Sequence, residues 1–337
     1  SEFLFSKHLF IFFILKMIER RKIAVIGSGQ IGGNIAYIVG KDNLADVVLF
    51  DIAEGIPQGK ALDITHSMVM FGSTSKVIGT NDYADISGSD VVIITASIPG
   101  RPKDDRSELL FGNARILDSV AEGVKKYCPN AFVICITNPL DVMVSHFQKV
   151  SGLPHNKVCG MAGVLDSSRF RTFIAQHFGV NASDVSANVI GGHGDGMVPV
   201  TSSVSVGGVP LSSFIKQGLI TQEQIDEIVC HTRIAWKEVA DNLKTGTAYF
   251  APAAAAVKMA EAYLKDKKAV VPCSAFCSNH YGVKGIYMGV PTIIGKNGVE
   301  DILELDLTPL EQKLLGESIN EVNTISKVLD NAPAAGA

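Results

Sequence analysis

Residues 22–32 read K-I-A-V-I-G-S-G-Q-I-G, and this stretch decides the fold. It opens as a short apolar, β-branched run that ends in glycine. Glycine then recurs through Gly27-Ser28-Gly29-Gln30-Ile31-Gly32, the pattern G-x-G-x-x-G, and helical sequence takes over. A strand that turns through glycines into a helix is the first step of a βαβ unit. Gly27 suits the tight turn, Gly29 lets the backbone approach a pyrophosphate, and Gly32 lets helix and strand pack closely. The free N–H groups at the helix start, around Gln30 and Ile31, then face an anionic ligand.

A second apolar run, Asp46–Asp51, ends in Asp51, about 20 residues beyond the glycines. A carboxylate there can accept hydrogen bonds from ribose hydroxyls and repels a 2′-phosphate, so NAD is expected rather than NADP. Similar runs follow at Asp90–Thr95 and Ala131–Thr137. They are near-continuous rather than alternating, which marks strands covered on both faces. Helical stretches lie between them at Ile31–Gly40, Pro57–Phe71 and Leu109–Tyr127, with another at Pro139–Val150. The fold class is therefore α/β, with an N-terminal Rossmann domain built on a doubly wound parallel sheet.

After about Gly163 the rhythm changes. Hairpin-like text covers Val198–Pro210, and long helices are expected at Thr221–Leu243 and Pro252–Lys265. Strands recur at Ala269–Ala275 and Tyr287–Ile294, and an amphipathic helix closes the chain at Pro309–Leu329. This predicts a mixed α+β catalytic domain. The expected division is a leader over 1–16, a cofactor domain over 17–162, a catalytic domain over 163–331 and a flexible tail over 332–337. The leader's apolar run is too short to span a bilayer, and Met17 reads as the natural start. A targeting or anchoring segment is the alternative.

The chain has 337 residues, 47% of them apolar, and a net charge of −4 without long basic blocks. That is enough for one large core or two, and it points away from nucleic acid and from membranes. Its six cysteines form no C-x-x-C pair, so they read as reduced and mostly buried thiols, and no metal site is expected.

Three further motifs fall in order: Ile136-Thr137-Asn138-Pro139, Val164-Leu165-Asp166-Ser167-Ser168-Arg169 and Gly191-Gly192-His193-Gly194-Asp195. Histidine titrates near neutrality, so the motif histidine His193 can serve as acid or base. Asp166 and Arg169 lie one helical turn apart, so both project from one face. With the glycine motif, these stretches closely resemble the L-lactate/L-malate dehydrogenase family, over roughly Ile18 to Leu329. Within it the chain looks most like the malate-dehydrogenase-like L-lactate dehydrogenases of apicomplexan type. The resemblance implies His193 as acid/base, Asp166 as its orienting carboxylate and Arg169 as the fork that grips the substrate carboxylate. It implies that Ser97–Arg106 is the lid, with Arg106 polarising the reacting carbonyl. Asn138 would contact cofactor and substrate, and Thr95 and Ala96 would line the cofactor. A cytoplasmic glycolytic enzyme, assembled as a homotetramer, is the matching expectation.

The lid also bears on the substrate. Malate enzymes typically read P-R-K-P there, with the first arginine on the second carboxylate of oxaloacetate; lactate enzymes carry glutamine. This chain reads Pro99-Gly100-Arg101-Pro102, so Gly100 takes the discriminating position, with Arg101 beside it. Thr245–Pro252 looks more malate-enzyme-like. The expected activity is L-lactate dehydrogenase, acting on pyruvate and lactate, with L-malate dehydrogenase as the alternative. NAD-using family-four glycosidases, which need a metal-binding Cys/His pair, and a non-catalytic cofactor-binding protein are the rivals from other classes.

Overall fold

The computed structural model describes residues 20–98 and 106–331. The expectations for residues 1–16, for Gly100 and Arg101, for the Arg106 side chain and for residues 332–337 lie outside them.

The apolar runs become strands. β1 (Lys22–Ile26), β2 (Asp46–Phe50), β3 (Val77–Thr80), β4 (Val91–Ile94), β5 (Phe132–Cys135) and β6 (Val158–Gly160) lie parallel in the order β3-β2-β1-β4-β5-β6. Every residue of β4 and β5 is buried. Side chains alternate between faces along a strand, so the sheet must be covered on both. The cover includes α1 (Gln30–Lys41), α2 (Ile56–Met68), α3 (Arg106–Tyr127) and α4 (Leu140–Ser151). The sequence reading does not foresee β3 or β6. β3 lies at the sheet edge and is only half apolar, and β6 has three residues. The helix expected over Pro57–Phe71 ends at Met68, and a single 3₁₀ turn over Val69–Phe71 leads to Gly72 at φ 63°.

The second half runs α5 (Gly163–Phe178), β7 (Val185–Ser186), β8 (Val189–Ile190), β9 (Val198–Pro199), β10 (Ser205–Val206), β11 (Val209–Pro210), α6 (Leu211–Lys216), α7 (Gln222–Leu243) and α8 (Phe250–Leu264). It ends with β12 (Ala269–Cys277), β13 (Ile286–Gly295), β14 (Gly298–Ile302) and α9 (Pro309–Asp330). The hairpin-like text at 198–210 splits: β9 pairs with β8, while β10 pairs with β11 and β7.

One feature exceeds what periodicity could give. β12, β13 and β14 join the parallel sheet as antiparallel strands, making nine in all, with Ser274 of β12 opposite Gly160 of β6. Gly160 permits that approach, because a Cβ there would stand 2.7 Å from Val144 Cγ2 and 3.0 Å from Ser274 Cβ. A single apolar cluster accordingly runs from Ile23 of β1 to Val322 of α9. A smaller one gathers Phe170 and Ile174 of α5 with Val185, Met197, Leu211 and Ile225. Each fully buried large side chain contributes about 1.5–3 kcal/mol.

The T-P-L-E sequence at 308–311 starts α9 with a capping box: Thr308 accepts from the Glu311 N–H, and Glu311 accepts from the Thr308 N–H. Glu311 also accepts from Ser202 N and Oγ, which ties α9 to the segment after β9. That tie bears on the site, because α9 braces its central loop.

Candidate active site

Gly27, Asp51, Thr95, Ala96 and Asn138 all follow the carboxyl ends of β1, β2, β4 or β5. Strand order reverses between β1 and β4, and open α/β sheets bind ligands in the crevice at that switch point. The glycine turn fits a dinucleotide. Gly27 has φ 102°, and a Cβ there would lie 2.7 Å from Ala96 N and Thr95 Oγ1. A Cβ on Gly32 would run into the Gly27 carbonyl. Packing thus explains two of the glycines. A Cβ on Gly29 would meet nothing within 4 Å, so its absence leaves open space over the start of α1, where a pyrophosphate needs close access.

Asp51 is held by Ser28, whose N–H and Oγ donate to Oδ2 at 2.6 and 2.8 Å, and by the Ala53 N–H at 3.0 Å to Oδ1. Burial works against its charge, but these donors outweigh it and hold the pKa below the ordinary aspartate value. The carboxylate is anionic and fixed, as recognition of ribose hydroxyls requires.

His193 lies in the loop between β8 and β9. Its ring Nδ1 is 2.7 Å from Asp166 Oδ2. Asp166 is buried on α5, and its Oδ1 is 3.2 Å from Nη1 of Arg169 on the next turn. Asp166 thus lies between Arg169 of its own helix and the His193 ring of the loop. The His193 side chain remains 17% exposed, enough for a ring edge to meet a substrate.

The loop itself is braced by residues that sequence reasoning missed. Asp141, buried in the first turn of α4, accepts the His193 N–H at 2.7 Å through Oδ2 and the Ser274 hydroxyl at 2.7 Å through Oδ1. Ser318 of α9 accepts the Gly192 N–H at 2.8 Å. Gly191 and Gly289 of β13 exchange two backbone hydrogen bonds of 2.8 Å, and a Cβ on Gly289 would sit 2.7 Å from the Gly191 carbonyl oxygen. Asn113 of α3 accepts the Ile98 N–H and donates to the Asn138 carbonyl, both at 2.8 Å, which links the start of the expected lid to the Asn138 segment. An aspartate three residues after Asn138, in the first turn of the helix, was the one available signal for Asp141; Ser274, Ser318 and Asn113 carried none.

The two buried aspartates act together on the His193 ring, against burial and the nearby charge of Arg169. Burial alone would lower the His193 pKa, but the charge and hydrogen bond of Asp166, with the charge of Asp141, carry it above the ordinary histidine value. Burial raises Asp141, against the hydrogen bonds from Ser274 and the His193 N–H. It lowers Arg169, against the attraction of Asp166. His66, His146 and His231 lie in α2, α4 and α7, as expected; His146 is 2.7 Å from Asp118 and His231 is 2.9 Å from Glu238. Five of the six cysteines are buried and Cys230 is exposed; none is in a disulfide.

Comparison with known families resolves what this arrangement belongs to. Residues 21–160 match the profile of the lactate/malate dehydrogenase NAD-binding domain, and residues 163–331 match that of the lactate/malate dehydrogenase alpha/beta C-terminal domain. This chain belongs to the lactate/malate dehydrogenase family. It is an NAD-dependent 2-hydroxy-acid dehydrogenase with NAD as its cofactor, and the glycosidase and non-catalytic readings fall away.

Solved structures of the family agree. The lactate dehydrogenase of Cryptosporidium parvum is 96% identical, over 93% of this chain and 100% of that one, with a TM-score of 0.89. The malate dehydrogenase of Cryptosporidium parvum is 53% identical over the same shares, with a TM-score of 0.91. The lactate dehydrogenase of Eimeria maxima, solved with NADH and oxamate, is 45% identical, over 93% of this chain and 97% of that one, with a TM-score of 0.89. Among the described residues, no helix of this dehydrogenase is long and apolar enough to cross a membrane.

Proposed function

We propose that this dehydrogenase is an L-lactate dehydrogenase that interconverts pyruvate and lactate, with His193 as its acid/base. The observation that carries the chemistry is the shared carboxylate of Asp166, which holds the His193 ring on one oxygen and Arg169 on the other. Two features support pyruvate as the substrate: Gly100 offers no side chain for a second carboxylate, and the lactate dehydrogenase of Cryptosporidium parvum is 96% identical. Malate dehydrogenase is the second reading, favoured by Thr245–Pro252 and by 53% identity to the malate enzyme of the same organism.

The cofactor, when bound, supplies or accepts the hydride at the substrate carbon. With Nδ1 held by Asp166, Nε2 of His193 is the nitrogen left to exchange a proton with the substrate oxygen. Reduction moves the proton from Nε2 to the ketone oxygen, and oxidation returns it. Asp166 stabilises the ring in its charged form. Arg169 spends one N–H on Asp166, and its remaining donors can grip the substrate carboxylate. Arg106, at the first residue of α3, would polarise the carbonyl under the lid. Asn138 completes the substrate pocket. Gly27, Gly29, Gln30, Ile31, Gly32, Thr95 and Ala96 line the cofactor, and Asp51 takes the adenosine ribose.

Asp51 implies a preference for NADH over NADPH, and Asp51→Ser should narrow it. Equal kcat/KM for the two cofactors in the unmodified enzyme would contradict that role. Asp141 implies a pH effect. Pyruvate reduction needs protonated His193, so its kcat/KM falls as pH rises through the His193 pKa, and the raised pKa moves that fall to higher pH than an ordinary histidine would give. Asp141→Asn keeps an oxygen for the His193 N–H and removes the negative charge. The inflection of the pH profile should therefore move to lower pH; an unmoved inflection would mean that the ring does not feel this charge.

We read the chain as a cofactor domain over 17–162 and a catalytic domain over 163–331, in a cytoplasmic homotetramer. Exposed Leu62, Val69 and Met70 along α2 and its following turn, with Ile234 on α7 and Phe250 at the start of α8, support burial in an assembly. Sedimentation of the purified protein at the monomer mass would reject it.

A further inference from the structure

Lys60 lies on α2, far in sequence from the glycine turn, yet its ammonium reaches it. Nζ donates to the Ser28 carbonyl at 2.6 Å and to the Gly29 carbonyl at 2.9 Å. The side chain crosses α1 over Gly33, where a Cβ would stand 3.5 Å from Lys60 Cδ and 3.6 Å from Nζ. Nothing in the reaction described above uses this residue.

The peptide unit explains what the contact does. In a trans peptide the carbonyl and the N–H point in opposite directions. The Ser28 carbonyl shares its peptide with the Gly29 N–H, and the Gly29 carbonyl shares its peptide with the Gln30 N–H. A cation that draws both carbonyls to one side therefore turns both N–H groups to the other. The first N–H groups of a helix have no partner within it. A cation on the carbonyls also polarises those N–H groups and strengthens them as donors. Asp51, which accepts from Ser28 of the same turn, attracts Lys60 and partly offsets the lowering of its pKa by burial.

We propose that Lys60 is a positioning residue for the cofactor, a clamp that fixes the Gly29 and Gln30 N–H groups toward the pyrophosphate. The proposal rests on the assignment of the glycine turn as the dinucleotide site. It predicts a loss confined to ligands that carry phosphates.

The test is the dissociation constants of NADH, ADP-ribose and adenosine for the unmodified protein, Lys60→Met, Lys60→Arg and Lys41→Met, with the thermal midpoint of each apoprotein. Lys60→Met should weaken NADH and ADP-ribose alike by about tenfold, the scale of a lost charge-assisted hydrogen bond. Adenosine, without phosphates, should change little. Lys60→Arg should recover much of the loss, and Lys41→Met, a charge removed from the far end of α1, should bind as the unmodified protein does. Undiminished NADH binding by Lys60→Met, or an equal loss for adenosine, would overturn the proposal. A Lys60→Met chain that fails to fold would make Lys60 a structural strut and overturn it as well. If the unmodified protein bound no NADH, the site assignment itself would fail.

Discussion

His193→Asn is expected to lower kcat for pyruvate reduction by about 10²–10⁴-fold, the usual cost of losing a positioned acid/base. Asparagine keeps a polar group near the Nδ1 position but falls short of Nε2 and cannot carry a proton between pH 5 and 8. The loop should survive the change, because the His193 N–H to Asp141, the Gly192 N–H to Ser318 and the Gly191–Gly289 pair are all backbone contacts on this loop. NADH should therefore bind nearly as before, since the glycine turn and Asp51 lie on other elements. A near-normal kcat would show that another group carries the proton. A parallel collapse of NADH binding would show that the loop, not the ring chemistry, had been lost.

Arg169→Lys should lower kcat/KM for pyruvate by about 10- to 150-fold, the equivalent of about 1.5–3 kcal/mol for a lost charge-assisted contact. Lysine keeps the charge but not the planar fork. Arg169 already commits Nη1 to Asp166, so a single ammonium would have to serve both carboxylates. The loss should appear mainly in KM for pyruvate, with NADH affinity untouched. An unchanged KM would remove Arg169 from the substrate and leave it as a partner of Asp166 alone.

The glycine turn, Asp51 and the common face of Asp166 and Arg169 were legible because local chain geometry places them, whereas the roles of His193, Asp166 and Arg169 came with the family resemblance alone. G-x-G-x-x-G and the strand-end Asp51 need only one βαβ unit, and Asp166 and Arg169 need only one helical turn. The linear text could not show which distant side chains close around them. Ser274 lies 133 residues from Asp141, and Ser318 lies 126 from Gly192. Lys60 reaches back 32 residues through the space over Gly33. The docking of β12–β14 onto β6 was equally hidden, because it depends on the close approach at Gly160 rather than on any strand's own pattern. Burial of Asp141 needs the whole second half of the chain in place, so an aspartate in the first turn of α4 reads from sequence as ordinary helix-start chemistry.

The most direct measurement is kcat/KM for pyruvate and for oxaloacetate with NADH on one preparation, repeated with Gly100→Arg. Pyruvate carries one negative charge, which Arg169 can meet; oxaloacetate carries a second, whose desolvation costs several kcal/mol unless a cation faces it. The unmodified enzyme should favour pyruvate, and Gly100→Arg should raise oxaloacetate turnover while depressing pyruvate turnover. A clear preference of the unmodified enzyme for oxaloacetate would contradict the lactate dehydrogenase reading, and its disappearance in Arg101→Ala would identify Arg101 as the cation responsible.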